Sequence, residues 1–246
     1  MPNSTIAVTG ASRGLGAAIA LELATRGFTV GCLARSGGIP DIEGASALAD
    51  RFIPLKCDVT DESALAQCFS ELARRTGGID GLVNNAGIQM GGASRAFPTA
   101  DFERVLRVNT VALFAACREV YPYLQQRNGG IIVNIGSFFA EMGAKGNVAY
   151  SASKAAIGAI TRCLAAEWGP HGISVLNVAP GYIETDMSRG YVGSPEGAAR
   201  IRARTFTRRA GRPDEVARTV AAIFTEKIEF LTGSTITLDG GHGISL

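Results

Sequence analysis

The sequence predicts an α/β fold: a doubly wound, parallel, seven-stranded sheet with helices on both faces, built by residues 1–246 as one domain. Three observations lead there. Short apolar runs rich in Val and Ile alternate with helix-length segments along the whole chain, the pattern of a sheet covered on both faces. The glycine-rich and polar motifs each follow directly on such a run, and loops at the carboxyl ends of parallel strands converge on one crevice. No linker, repeat or low-complexity stretch interrupts the alternation.

The bulk properties agree. The 246 residues are 46% hydrophobic and carry a net charge of +2, ordinary for a globular chain with a sizeable core. The basic residues are dispersed, which gives no sign of a nucleic-acid partner. No apolar run approaches the roughly 18 residues that span a membrane. The chain enters a strand-like run at once, without the pattern of an export signal. Its five cysteines show no Cys-x-x-Cys spacing, so they read as reduced, mostly buried thiols of a cytoplasmic protein. His171 and His242 do not make a metal site.

Residues 5–9 form the first strand. Gly10-Ala11-Ser12-Arg13-Gly14-Leu15-Gly16 follows, then a helix over 17–26 that ends at Gly27. A strand, a tight glycine turn and a helix N-terminus make an anion site: the glycines admit positive φ and close approach, and the helix offers free N–H groups. The second strand, 28–34, runs into Arg35. In a dinucleotide fold this strand end meets the adenosine ribose, where an acidic residue suits a free 2′-hydroxyl and an Arg a 2′-phosphate. Arg35, joined by Arg13, points to NADP(H). The third strand, 52–57, precedes Asp58 and Val59; Asp58 accepts from an adenine amino group or starts the turn. Thr60 is the expected N-cap of the next helix.

A fourth strand leads to Asn84-Asn85-Ala86-Gly87, which suits close packing beside a cofactor. Residues 88–100 read as loop and 100–126 as mostly helical, with Asn109 in an apolar stretch. A buried Asn must be bonded: Asn109 is either a bonded core residue or holds a water beside Lys154. The fifth strand, 130–135, ends near Ser137. Tyr150 and Lys154 lie four apart on the helix beyond, one turn apart on one face. A phenol with a pKa of about 10 is a poor acid at neutral pH, and an ammonium one turn away lowers that value. Such a Tyr exchanges a proton with a carbonyl or alcohol oxygen that Ser137 holds. The sixth strand, 174–178, runs into Pro180-Gly181, residues 188–212 read as a helical lid, and a last helix at 213–225 precedes the seventh strand at 235–238.

Together these motifs resemble the short-chain dehydrogenase/reductase family over essentially the whole chain, and so a Rossmann-like sheet. The glycine turn, Asn84-Asn85-Ala86-Gly87, and Ser137, Tyr150 and Lys154 at separations of thirteen and four residues carry the likeness. The resemblance implies Asn109, Ser137, Tyr150 and Lys154 as the catalytic set. It implies cofactor contacts from Gly10, Ser12, Arg13, Gly14, Leu15, Gly16, Arg35, Asp58, Val59, Asn85, Ala86, Gly87, Tyr150, Lys154, Pro180, Gly181, Ile183 and Thr185, and a homotetramer with the tail 243–246 buried. Ala112 departs from the Gly that many members carry after the Asn motif. Within the family the nearest likeness is to 3-oxoacyl-[acyl-carrier-protein] reductases, through residues 181–187 and 211–216. That implies NADPH-dependent reduction of a 3-oxoacyl thioester. Arg127 and the arginines of 200–212 are the candidate docking surface for an acidic carrier protein, although Asn128 and His171 stand where basic residues are expected. Phe138 and Phe139 read as an apolar substrate wall or as core. The alternatives are an NAD(P)-dependent alcohol or sugar dehydrogenase and a non-catalytic dinucleotide sensor.

Overall fold

A computed structural model describes residues 4–245. Seven strands are formed: β1 (Thr5–Thr9), β2 (Thr29–Ala34), β3 (Phe52–Lys56), β4 (Gly81–Asn84), β5 (Gly130–Ile135), β6 (Ile173–Pro180) and β7 (Thr235–Leu238). They pair in parallel in the order β3-β2-β1-β4-β5-β6-β7. The helices are α1 (Gly14–Thr25), α2 (Glu62–Thr76), α3 (Thr99–Leu106), α4 (Ala112–Gln126), α5 (Val148–Trp168), α6 (Arg189–Val192), α7 (Pro195–Arg204) and α8 (Pro213–Glu226).

The inner strands are largely apolar because both faces are covered, while the edge strand β7 is exposed at alternate residues. Ile6, Val8, Val30, Val83, Val133 and Val178 pack with α1 and α8 on one side. Ala7, Leu33, Leu82, Ile132 and Val175 pack with α2, α4 and α5 on the other. Successive strand residues alternate between the two clusters, as the pleat requires.

A polar rung crosses this apolar sheet. Asn84, Asn134, Asn177 and Thr235 are register partners on four adjacent strands. Asn84 Nδ2 donates to Asn134 Oδ1 at 3.0 Å, and Asn134 Nδ2 donates to Thr161 Oγ1 of α5 at 3.0 Å. Asn177 Nδ2 donates to Thr235 Oγ1 at 3.1 Å. Asn134 is fully buried, so its bonds are the condition for its presence.

Three expectations change. The helix after the glycine turn begins at Gly14, three residues before Ala17, because the turn itself closes into the helix. Gly27, at φ +91°, follows its last residues as foreseen. The cap of α2 is Asp61 and not Thr60: the Asp61 carboxylate accepts from Ser63 N and Ala64 N at 2.9 and 3.2 Å, while the Thr60 hydroxyl is spent on Asp58 Oδ1 at 2.7 Å. The helix through Asn109 is not regular, since Arg107–Val111 forms a π-helical turn between α3 and α4. In the tail, Ile244 is 79% exposed on the single chain, so any burial of 243–246 would have to come from further copies; Leu246 lies outside the described residues.

Replacing Asn134 by Leu leaves the Asn84 amide with only the Cys117 sulfur as acceptor and strands the Thr161 hydroxyl in an apolar interior. The variant should unfold with about 2–3 kcal/mol less stability in urea titration; an unchanged midpoint would show that the rung contributes nothing.

Candidate active site

The turn after β1 is shaped by its glycines. Gly10 and Gly14 have φ of +67° and +57°, a region costly for side chains with a Cβ. A Cβ on Gly16 would lie 2.1 Å from the carbonyl oxygen of Gly10. Asn85 Nδ2 donates to the carbonyls of Thr9 and Gly10 at 3.1 and 3.2 Å, and Thr9 Oγ1 accepts from Asn85 N and Ala86 N at 3.0 and 3.2 Å. Asn85 is therefore a brace for the turn, and the Asn84 amide belongs to the buried rung. Helix α1 starts from an extended Arg13 with no side-chain cap and no acidic residue in its first turn. The nearest atom that a Cβ on Gly14 would meet is Thr185 Cβ at 4.0 Å, so Thr185 faces this turn across an open gap. Uncapped N–H groups, a cradle that side chains would fill and a positive dipole end fit the pyrophosphate of a dinucleotide.

Arg13 and Arg35 are exposed at the mouth of this cradle. Among the described residues neither has a hydrogen-bond or ion-pair partner. Asp58 stands at the end of β3, its carboxyl held below the usual range by hydrogen bonds from Thr60 and then by the Arg35 charge. Val59 is half-buried beside it. Ser12 uses its carbonyl to accept from Asp41 N at 2.8 Å, and Leu15 packs into the α1 core.

Ser137 lies just past β5, 5% exposed, with its Oγ accepting from Phe139 N at 3.2 Å. Tyr150 and Lys154 project from the first turns of α5. Lys154 Nζ donates to the carbonyl of Ile135 at 2.7 Å and stands 5.7 Å from the Tyr150 ring centroid. Burial pushes the Lys154 ammonium down to about 8. Burial also pushes the Tyr150 phenol up to about 12, against a hydrogen bond from Ser137 that favours the phenolate. This corrects the expectation that Lys154 simply lowers the phenol. Both groups are desolvated, desolvation disfavours either charge, and the lysine's nearest partner is the Ile135 carbonyl.

Asn109 is 1% exposed. Its Oδ1 accepts from Ile88 N at 2.8 Å, and its Nδ2 donates to Ile88 O and Ser153 Oγ at 2.9 and 3.0 Å. Ser153 in turn donates to the Tyr150 carbonyl at 2.7 Å. The side chain is thus a bonded core residue that ties the loop after β4 to the turn of α5 that carries Tyr150. The turn after β6 closes the crevice. Gly181 N donates to Leu238 O at 2.8 Å, Ile183 is 8% exposed and bridges to Gly211, and Ser188 Oγ accepts from Thr185 N at 3.1 Å.

Phe138 and Phe139, read from the sequence as an apolar wall or as core, are joined by Tyr182, Tyr191 and His242, which sequence reasoning missed. Phe138 stacks on Phe139 with centroids 4.3 Å apart, and Phe139 meets the edges of Tyr150 and Tyr182 at 6.3 and 5.8 Å. Tyr182 stacks on Tyr191 at 5.2 Å, and the His242 ring meets Phe138 and Tyr182 at 5.1 and 5.6 Å. The signal was present in Tyr182, between the glycine turn and Ile183, and in His242, directly after a Gly-Gly turn. Of the proposed docking arginines, Arg127, Arg209 and Arg212 are engaged with Asp80, Glu215 and Asp214.

The protein-family profile described as Enoyl-(Acyl carrier protein) reductase matches residues 10–243. The chain is 34% identical over 238 residues to the 3-oxoacyl-[acyl-carrier-protein] reductase FabG of Escherichia coli (strain K12), covering 95% of each. It is 32% identical over 241 residues to 2-(R)-hydroxypropyl-CoM dehydrogenase of Xanthobacter autotrophicus, covering 96% of each. The crystal structure of a gluconate 5-dehydrogenase from Burkholderia cenocepacia J2315 in complex with NADP and tartrate superposes with a TM-score of 0.91 at 29% identity, covering 100% of this chain and 97% of that one.

The lysine has a measurable consequence. Its folded value of about 8 lies below the ordinary 10.5, so between these limits the unfolded chain binds the proton and the folded chain does not. Stability contributed by Lys154 therefore rises with pH through that window. Relative to Lys154→Met, the wild type should gain on the order of 2 kcal/mol between pH 8 and 10 in denaturant titrations. A difference that stays flat with pH would remove the buried ammonium.

Proposed function

The chain belongs to the short-chain dehydrogenase/reductase family, and on that premise we propose that it reduces a ketone to a secondary alcohol with NADPH, a 3-oxoacyl thioester being the first substrate class. The observation that carries this reading is the convergence of Ser137, Tyr150 and Lys154 just past the carboxyl end of β5. Bound in the cradle, a nicotinamide dinucleotide supplies the hydride.

The chain's own residues supply the rest. Ser137 holds the carbonyl oxygen by a hydrogen bond, and Tyr150 gives that oxygen its proton as general acid. In the alcohol-oxidising direction Tyr150 takes the proton back. The phenolate left after proton transfer is the state that the Lys154 ammonium stabilises, and Lys154 also reaches for the nicotinamide ribose. Asn109 positions Ile88 and the Ser153 turn, and the second lone pair of its Oδ1 can take a relay water. Arg13 and Arg35 read the 2′-phosphate. Gly10, Ser12, Gly14, Leu15 and Gly16 hold the pyrophosphate, Asp58 and Val59 the adenine, and the backbone of Asn85, Ala86 and Gly87 the adenosine side. Pro180, Gly181, Ile183 and Thr185 hold the nicotinamide end.

The likeness to the E. coli 3-oxoacyl-[acyl-carrier-protein] reductase supports the thioester. A second reading, a dehydrogenase of sugar acids or hydroxy acids, is favoured by the exposed Arg200 and Arg204 beside the aromatic wall, and the likeness to the gluconate 5-dehydrogenase supports it. Free thiols at Cys32, Cys57, Cys68, Cys117 and Cys163 support a cytoplasmic setting. Exposed Val111 and Phe114, three apart on the helix, together with Phe230, support burial against further copies in a homotetramer.

Tyr150→Phe should lower kcat by about 10²–10⁴-fold while NADPH still binds; full turnover in that variant would end the assignment of the acid. Arg35→Ala should raise KM for NADPH by about tenfold and leave KM for NADH nearly unchanged; equal effects on the two would discard the 2′-phosphate contact. Rates with acetoacetyl thioesters, measured beside simple ketones and sugars, decide between the two substrate readings.

A further inference from the structure

Tyr150 is the third residue of α5. It stands in the first turn, whose N–H groups find no partner within the helix, and such a turn opens locally unless something outside it holds it. The turn's own sequence does little. It contains no acidic residue, and Asn147, at the N-cap, makes no side-chain cap bond. Asn is among the best capping residues, yet this one is spent elsewhere: Asn147 Oδ1 accepts from Gln89 Nε2 at 2.7 Å, and Asn147 Nδ2 donates to Lys145 O at 3.2 Å.

Gln89 belongs to the loop after β4, and that loop lies directly on the segment before α5. Gly92 N donates to Gly146 O at 2.9 Å, and a Cβ on Gly91 would lie 2.8 Å from the same oxygen, so the two backbones are in contact. Gly146 takes φ +76° there, a conformation that favours glycine. The loop is tied to α5 a second time. Asn109 holds both the N–H and the carbonyl of Ile88, bonds Ser153, and Ser153 donates to the Tyr150 carbonyl. Residues 88–92 therefore reach α5 three residues before Tyr150, through Gln89, and three residues after it, through Ile88 and Asn109. A cap made by Asn147 on its own helix would steady the turn without placing it. A bond to the loop after β4 places it against the sheet, and β4 is the register partner of β5, the strand that ends near Ser137.

We propose that Gln89 and Asn147 are positioning residues for the reaction: their hydrogen bond holds the first turn of α5, and with it the Tyr150 phenol, in the place beside Ser137 that proton transfer needs. The pair acts through Tyr150, so this rests on the reading of Tyr150 as the general acid. Small displacements of a reacting group are costly, a shift of about 1 Å lowering a rate by as much as about 10²-fold.

The test measures NADPH-dependent reduction of acetoacetyl-CoA and of ethyl acetoacetate by the wild type, Q89A, N147A, Q89A/N147A and Q89N/N147Q. Each single variant should lower kcat about tenfold, with KM for the ketone and for NADPH within about twofold of the wild type. The double variant should be no slower than either single one, because both remove the same bond. Q89N/N147Q, in which the two amides exchange places and keep their summed reach, should return kcat to within about twofold of the wild type. Wild-type kcat in Q89A and N147A, with Tyr150→Phe inactive, would overturn the clamp and leave the acid in place. Full turnover in Tyr150→Phe would instead overturn the reading beneath it. If neither ketone is reduced, hydrogen–deuterium exchange decides: in Q89A the segment 148–154 should exchange about tenfold faster than in the wild type while 160–168 stays unchanged, and equal exchange in the two proteins overturns the clamp.

Discussion

Asn134 joins β4, β5 and α5 through one fully buried amide. An unpaired amide there would cost far more than a surface contact returns, so these three elements hold one relative position. That position sets the chemistry. Strand β4 delivers Asn85, which braces the glycine turn; β5 delivers Ser137; α5 delivers Tyr150 and Lys154. Within the sheet the backbone ladder already fixes strand register. The bond from Asn134 to Thr161 adds a directional tie between β5 and α5, whose apolar contacts alone are non-directional.

Asn109 performs the same office at the other side of the crevice. It joins Ile88 to Ser153, and Ser153 is bonded to the Tyr150 carbonyl. The π-helical turn at Arg107–Val111 lies at this residue, and such turns often accompany functional positions in helices. The result is a Tyr and a Lys that are desolvated before any ligand arrives. Their opposed shifts, one acid made weaker and one base made weaker, both express the cost of charge in a dry site. Charge created on the phenol during proton transfer is thus poorly solvated by water and depends on the fixed dipoles and ammonium around it.

The aromatic wall stands beside Tyr150. It is assembled from the turn after β5, the turn after β6, α6 and the turn after β7, four segments distant in the chain. Loops vary more freely than the strands that carry them. The chain is similar over nearly its whole length both to a 3-oxoacyl-[acyl-carrier-protein] reductase and to a gluconate 5-dehydrogenase.

The sequence by itself determined the parallel α/β sheet, its seven strands and the crevice, because apolar runs, glycine turns and helix spacing are local signals. It also picked out Ser137, Tyr150 and Lys154, since a four-residue separation fixes one helical face. Local patterns misjudged what depends on competition between neighbours: Asp61 displaced Thr60 as a cap because its carboxylate reached two N–H groups while Thr60 bonded Asp58. Only the tertiary structure decided that Asn84 pairs with Asn134, that Asn85 braces the glycine turn, that burial raises the Tyr150 phenol, and that His242 closes the wall begun by Phe138. Each of these depends on strand register and on desolvation, which arise when distant segments pack, and neither leaves a mark in any short stretch of sequence.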